Sequence, residues 1–132
     1  MQIKACLAKI HRATVTGADL NYVGSITIDQ DLLDASGIQP FQYVNVTNLS
    51  NGVFWQTYVI AGERGRGDIC LNGPPARHFH RDDKVIIMAE VWLEPREMKE
   101  LNPTVVFVDD HNRVTEIKYH TMIAPENTSV SC

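Results

Sequence analysis

Two β-rich runs, Phe41 to Asn48 and Val53 to Ile60, flank Asn51-Gly52, a dipeptide suited to the left-handed backbone of a tight hairpin turn. A hairpin must bury one face, and most of the chain offers further strands to cover it. Gly24 to Ile28 reads as a strand, and Ile69 to Asn72 as a brief one ending in a Gly-Pro-Pro turn. Lys84 to Leu93 is a nearly continuous apolar run, which predicts a buried central strand. Thr104 to Val108 and Val114 to Tyr119, joined through Asp110-His111-Asn112, predict a last hairpin. Helix signals are few. Gln30 to Ser36 has Asp29 as its cap and Gly37 as its stop, and Glu94 to Glu100 can form one or two turns after Pro95. In the opening segment Ile3, Ala5 and Leu7 share a parity with Lys9, His11, Ala13 and Val15, which predicts an edge strand whose polar end reaches solvent. Many short strands at regular spacing predict a closed, mainly β domain, barrel or sandwich, over residues 1–120, with a flexible tail over 121–132.

Charge and cysteine usage narrow the function. A net charge of −4 leaves no basic footprint for nucleic acid or an anionic membrane surface. No apolar stretch reads as a signal peptide or a membrane span, so a cytoplasmic location is expected. Cys6, Cys70 and Cys132 are odd in number and widely spaced, which fits reduced thiols, with Cys6 and Cys70 expected as small core residues. His78-Phe79-His80 places two imidazoles near Asp82 and Asp83 but lacks a ligand at the right spacing, so no metal is expected. Arg66-Gly67-Asp68 matches an adhesion tripeptide that an unsecreted protein would not use.

The chemistry begins at Gly24-Ser25. A serine hydroxyl after glycine can attack the preceding carbonyl carbon, turning the amide into an ester; β-elimination and hydrolysis then leave a pyruvoyl group at position 25. Gly-Ser alone is common and equally reads as a plain turn. Its surroundings add meaning: Lys9-Ile10-His11-Arg12-Ala13-Thr14-Val15-Thr16, Ala18-Asp19-Leu20, Tyr22-Val23-Gly24-Ser25, Ile28-Asp29, Thr57-Tyr58, Glu63-Arg64-Gly65 and Asn72-Gly73. In order and spacing these stretches resemble the pyruvoyl-dependent aspartate 1-decarboxylase family across about residues 1–110.

The resemblance implies a double-psi β-barrel with a few short helices, assembled as a homotetramer with active sites between neighbouring subunits. It implies self-cleavage into 1–24 and 25–132, aided in some members by a maturation factor. The cofactor would be the pyruvoyl group made from Ser25, without metal or pyridoxal phosphate, its ketone forming a Schiff base with a small amino-acid substrate. Thr57 would offer a hydroxyl during self-cleavage and contact substrate, and Tyr58 would be the proton donor. Lys9 would meet the substrate's side-chain carboxylate, Asn72 the developing enolate oxygen, and Gly73, Pro74 and Pro75 would line the pocket. His11, Tyr22 and Phe54 are expected in supporting positions. No nucleic-acid or membrane partner is implied.

Two positions depart from the family pattern. Phe54 stands where an arginine normally pairs with the substrate's α-carboxylate, and Pro74-Pro75 replaces an alanine-rich turn, removing two backbone donors. The expected activity is L-aspartate to β-alanine plus CO2, the step that feeds pantothenate biosynthesis. The departures also allow the same chemistry on another amino acid, such as glutamate or a substituted aspartate. A barrel that no longer processes itself and serves as a binding module is the remaining alternative, and intact Gly24-Ser25 and Thr57 speak against it.

Overall fold

The computed structural model describes residues 1–20 and 24–120. Among the described residues nine strands make a mainly β fold: β1 (Ile3–Thr14), β2 (Gly17–Asp19), β3 (Ser25–Asp29), β4 (Tyr43–Asn48), β5 (Phe54–Gly62), β6 (Ile69–Asn72), β7 (Lys84–Leu93), β8 (Thr104–Val108) and β9 (Val114–Tyr119). Helix α1 (Gln30–Ser36) and two 3-10 helices, Pro74–His78 and Pro95–Glu100, complete it. The strand order is β2-β6-β3-β5-β4-β7-β1-β8-β9. The β3–β5, β1–β8 and β2–β6 pairs are parallel and the rest antiparallel, which suits the expected double-psi barrel; the ladder does not pair β2 with β9.

Local signals and local structure agree where the chemistry is local. The Asp29 carboxylate accepts the Asp31 N–H at 2.8 Å, and Gly37, at φ 79, returns its N–H to the Leu33 carbonyl, so α1 begins and ends at its capping residues. Around Asn51-Gly52 the turn is wider than a two-residue hairpin. The Gly52 N–H donates to the Asn48 carbonyl at 2.8 Å and the Asn48 N–H to the Val53 carbonyl at 2.9 Å, so residues 49–52 form the loop. The Asn48 Oδ1 accepts the Ser50 N–H and the Asn51 Oδ1 the Val53 N–H, each at 2.9 Å, which holds this wider loop, while the Asn48 amide donates to the His78 carbonyl and Asp83 Oδ2.

The expectation for the opening segment is corrected. β1 lies inside the sheet between β7 and β8, not at an edge, and its buried residues are Ala8 and Ile10. A register shift between Ile10 and Ala13, with Arg12 at φ 61, then switches parity and buries Ala13 and Val15. Lys9 and His11 therefore lie on the face opposite the core, while Ala13 and Val15 do not share it. Cys6 and Cys70 are half-buried free thiols, less enclosed than core residues. The core proper joins Ile10, Ile26, Ile28, Leu32, Leu71, Phe79 and Ile87 with their aliphatic neighbours. Among the described residues no helix is long and apolar enough to cross a membrane, and no group of His, Cys, Asp or Glu is placed to hold a metal ion.

Candidate active site

Strand alternation sets the site. Along β3, Ile26 and Ile28 enter the core, so Ser25 and Thr27 project from the other face, where antiparallel β6 opposes Ser25 with Asn72. The Asn72 amide donates to Ser25 Oγ at 3.2 Å and to Thr27 Oγ1 at 3.3 Å. Ser25 is fully buried and Asn72 nearly so. A reactive hydroxyl with an amide donor beside it, shielded from water, can be oriented without competition from solvent.

Immediately after Asn72 the backbone turns at Gly73, whose φ of 98 is open to glycine and strained for other residues. Its N–H donates to the Asp19 carbonyl at 2.6 Å, tying β6 to the segment that leads toward residue 24. Pro74 and Pro75 open the following 3-10 helix, where the first N–H groups have no partner within the helix, so the prolines cost it no bond. A Cβ built on Gly24 would meet the Asn72 carbonyl oxygen at 3.9 Å and the Trp55 ring at 4.0 Å. Those are ordinary contacts, so crowding is not what calls for glycine there.

On the other side of β3 lies β5, paired in parallel from Ile26 and Val59 onward, one residue beyond Ser25 and Tyr58. Thr57 is buried on the core side with Val59. Tyr58 alternates to the opposite face, where its ring stands 6.4 Å from Phe41 and 6.3 Å from Tyr43. Both neighbours belong to β4 or to the residues leading into it. Phe54 shares this outer face and is 63% exposed. Lys9 and His11 occupy the outer face of β1, four strands from β3 in the sheet order, with His11 edge-on to Phe107 at 5.5 Å. Burial pushes the Cys6 thiol up, and the charge of nearby Lys9 pulls it the other way.

The fold thus brings Gly24, Ser25 and Asn72 together, with Gly73 next in the chain, and sets Thr57 on the adjoining strand. Lys9 and His11 lie four strands from β3 in the sheet order, and Phe54 and Tyr58 lie on the outer face of β5. Tyr22 and the 121–132 tail lie outside the described residues. Two residues that sequence reasoning missed belong beside the site. Thr27 shares the Asn72 amide and was legible as the residue two after Ser25 on one strand face. Trp55 edges Gly24 and packs against Phe79 at 6.1 Å, and its parity with Thr57 on β5 was the available signal.

Comparison with known proteins points in one direction. The aspartate decarboxylase family model matches residues 1–115. An aspartate 1-decarboxylase of Ruminiclostridium cellulolyticum is 57% identical over 115 residues, covering 87% of this chain and 90% of that protein. One from Lactiplantibacillus plantarum is 52% identical over 129 residues, covering 96% and 99%. One from Sulfurimonas denitrificans is 50% identical over 117 residues, covering 89% and 97%.

Proposed function

The chain belongs to the aspartate decarboxylase family, and from that premise we propose that it cuts its own Gly24–Ser25 bond and then decarboxylates L-aspartate to β-alanine and CO2. The observation that carries this reading is the buried Ser25 hydroxyl within 3.2 Å of the Asn72 amide, at the one dipeptide whose rearrangement yields a pyruvoyl group.

In this reading Ser25 Oγ attacks the Gly24 carbonyl carbon, and the C–N bond breaks as the ester forms, leaving the nitrogen of residue 25 as an amine. Thr57, buried on the adjoining strand, supplies a hydroxyl to the carbonyl oxygen as charge develops there. Loss of the Ser25 α-proton and cleavage of the Cβ–O bond release the Gly24 carboxylate and leave dehydroalanine. Water then replaces its nitrogen, which departs as ammonia, and a ketone remains. The pyruvoyl ketone supplies an electrophile for the substrate amine and an electron sink for the pair left by departing CO2. Asn72 already directs its amide at position 25 and can hydrogen-bond an enolate oxygen formed there. Tyr58 returns a proton to the substrate carbon, and Lys9 meets the side-chain carboxylate.

Within one chain the Tyr58 ring stands beside Phe41 and Tyr43, and the rings of Phe41, Tyr43, Phe54 and Trp92 are exposed on a surface that also carries Asn45, Gln56 and Glu90. That supports a homotetramer in which a neighbouring copy completes each site. A cytoplasmic location follows from the same reading. A second reading keeps the chemistry and changes the amino acid. Phe54 offers no charge to an α-carboxylate, so a panel containing aspartate, glutamate and substituted aspartates separates the two.

The processing test is direct. Purified protein should resolve on a denaturing gel into chains 1–24 and 25–132, and the longer chain should resist Edman sequencing because its terminal amine has become a ketone. Ser25→Ala should remain one band. A full-length band in the wild type after prolonged warm incubation, with and without cell extract, would sink the proposal.

A further inference from the structure

Away from Ser25, a cavity of about 820 Å³ opens where the end of β1 meets the turns after β5, before β7 and after β8. Thr14, Val15 and Thr16 form its floor, and none of Gly24, Ser25, Thr57, Tyr58 or Asn72 lines it. Buried polar groups hold its walls. The Asn112 side chain accepts the Thr14 N–H at 2.7 Å and donates to the Thr14 and Gly67 carbonyls, each at 2.8 Å. The Asp29 carboxylate accepts the N–H groups of Gly65 and Gly67 at 3.1 and 2.6 Å. Gly67 takes φ +74, and a Cβ on it would lie 2.6 Å from the His111 carbonyl oxygen, so two turns touch only because that residue is glycine.

This rigid frame gathers positive charge in an acidic chain. Arg66, Arg81, Lys84 and Arg113 line the cavity against Asp82 and Asp110, four positive groups to two negative, while the whole chain carries −4. Lys84 is committed to Asp110 at 2.8 Å and Thr14 Oγ1 at 2.6 Å. Arg66 leans on Asp68 at 3.2 Å and Glu63 at 3.5 Å. Arg113 spends one N–H on the Gly65 carbonyl, and Arg81 makes no hydrogen bond or ion pair among the described residues. Two guanidinium groups therefore keep donors free at one cavity, in the planar fork that matches a phosphoryl group.

We propose that this cavity binds a phosphate monoester or polyphosphate of small-molecule size, gripped by Arg81 and Arg113. Arg81 and Arg113, the two guanidinium groups that keep donors free, carry two positive charges, which matches a phosphate monoester at about −1.5 to −2 at neutral pH. The volume falls in the usual range of small-molecule sites, about 300–1,000 Å³, and leaves room for an organic body beyond the phosphate. The site lies apart from the self-cleavage machinery, so its occupancy does not depend on processing.

Isothermal titration of the purified wild-type protein with inorganic pyrophosphate at low ionic strength tests it. Saturable one-site binding is expected. Arg81→Gln should weaken it about tenfold, the loss of a charge-assisted contact. Arg81 holds no structural bond, so that variant should fold and melt as the wild type does. Adenosine 5′-monophosphate should compete for the same site, and the Ser25→Ala precursor should bind equally well. Absence of saturable binding at millimolar pyrophosphate, or wild-type affinity in Arg81→Gln, would overturn the site. Failure of the monophosphate to compete would overturn the ester assignment.

Discussion

At the head of β3 the Ser25 hydroxyl is fully buried and accepts an amide hydrogen from Asn72. One strand away, Tyr58 packs beside Phe41 and Tyr43, which are 75% and 61% exposed. The inner region is closed by its own hydrogen bonds, and the outer face exposes aromatic rings among polar side chains. Self-cleavage acts on the chain's own backbone, so its groups can be enclosed in a single fold. Substrate chemistry needs an opening, and here its proposed residues, Lys9, Phe54 and Tyr58, lie on surfaces that a second copy would cover. Building the cofactor and using it should therefore fail separately.

The largest effect expected is at Thr57. Thr57→Val keeps the β-branched shape on β5 and removes the hydroxyl, so the full-length band should persist on a denaturing gel and no activity should appear. Normal splitting would move the oxyanion role from Thr57 to another donor.

Tyr58→Phe probes the other side of the contrast. The processed chain should form normally while decarboxylation falls about 10²–10⁴-fold, the usual range for a lost proton donor. If turnover is unchanged, the phenol is only part of the aromatic face, and water or His11 carries the proton.

Phe54→Arg tests the outer face by gain. Adding a charge-assisted partner for the α-carboxylate should raise kcat/KM for aspartate about ten- to a hundredfold. A fall would mean that another arginine already holds that carboxylate, and Arg12 and Arg77 are the next to truncate. Lys9→Ala is the companion, expected to slow acidic substrates and spare neutral ones.

The smallest effect concerns the frame that both regions share. Burial by itself would raise the Asp29 carboxyl, but hydrogen bonds from the Asp31, Gly67 and Gly65 N–H groups outweigh it and hold the group below the ordinary carboxylate range. Its contribution is thus fully present above the unfolded value, about pH 4, and is lost as pH falls through the lower folded value. Asp29→Asn should cost about 2 kcal/mol at neutral pH by denaturant unfolding, and the gap to wild type should close in strong acid. A gap independent of pH would mean that the lost interaction is not ionic.

Helix α1, the last hairpin and the apolar run of β7 were legible because their causes lie within a few residues. Asp29 and Gly37 satisfy helix ends directly, and the nearly continuous apolar run of β7 marks a strand paired on both sides, although only Val85, Ile87 and Ala89 along it are fully buried. Ser25 stood out only through the company it keeps, because Gly-Ser by itself equally reads as a plain turn. The place of β1 was not legible. Its center position depends on antiparallel pairing with β7 and parallel pairing with β8, and the bulge at Arg12 changes which residues face inward without any change in composition.

Sequence by itself determined most of the strands, the caps of α1 and the family pattern, since each is written in neighbouring residues or in a fixed spacing. Only the tertiary structure decided which groups meet. It set Asn72 on Ser25 across 47 residues, stood Tyr58 beside Phe41 and Tyr43, and gathered Arg66, Arg81, Lys84 and Arg113 around one cavity. Those meetings come from burying distant strands against one another, and no local propensity records that.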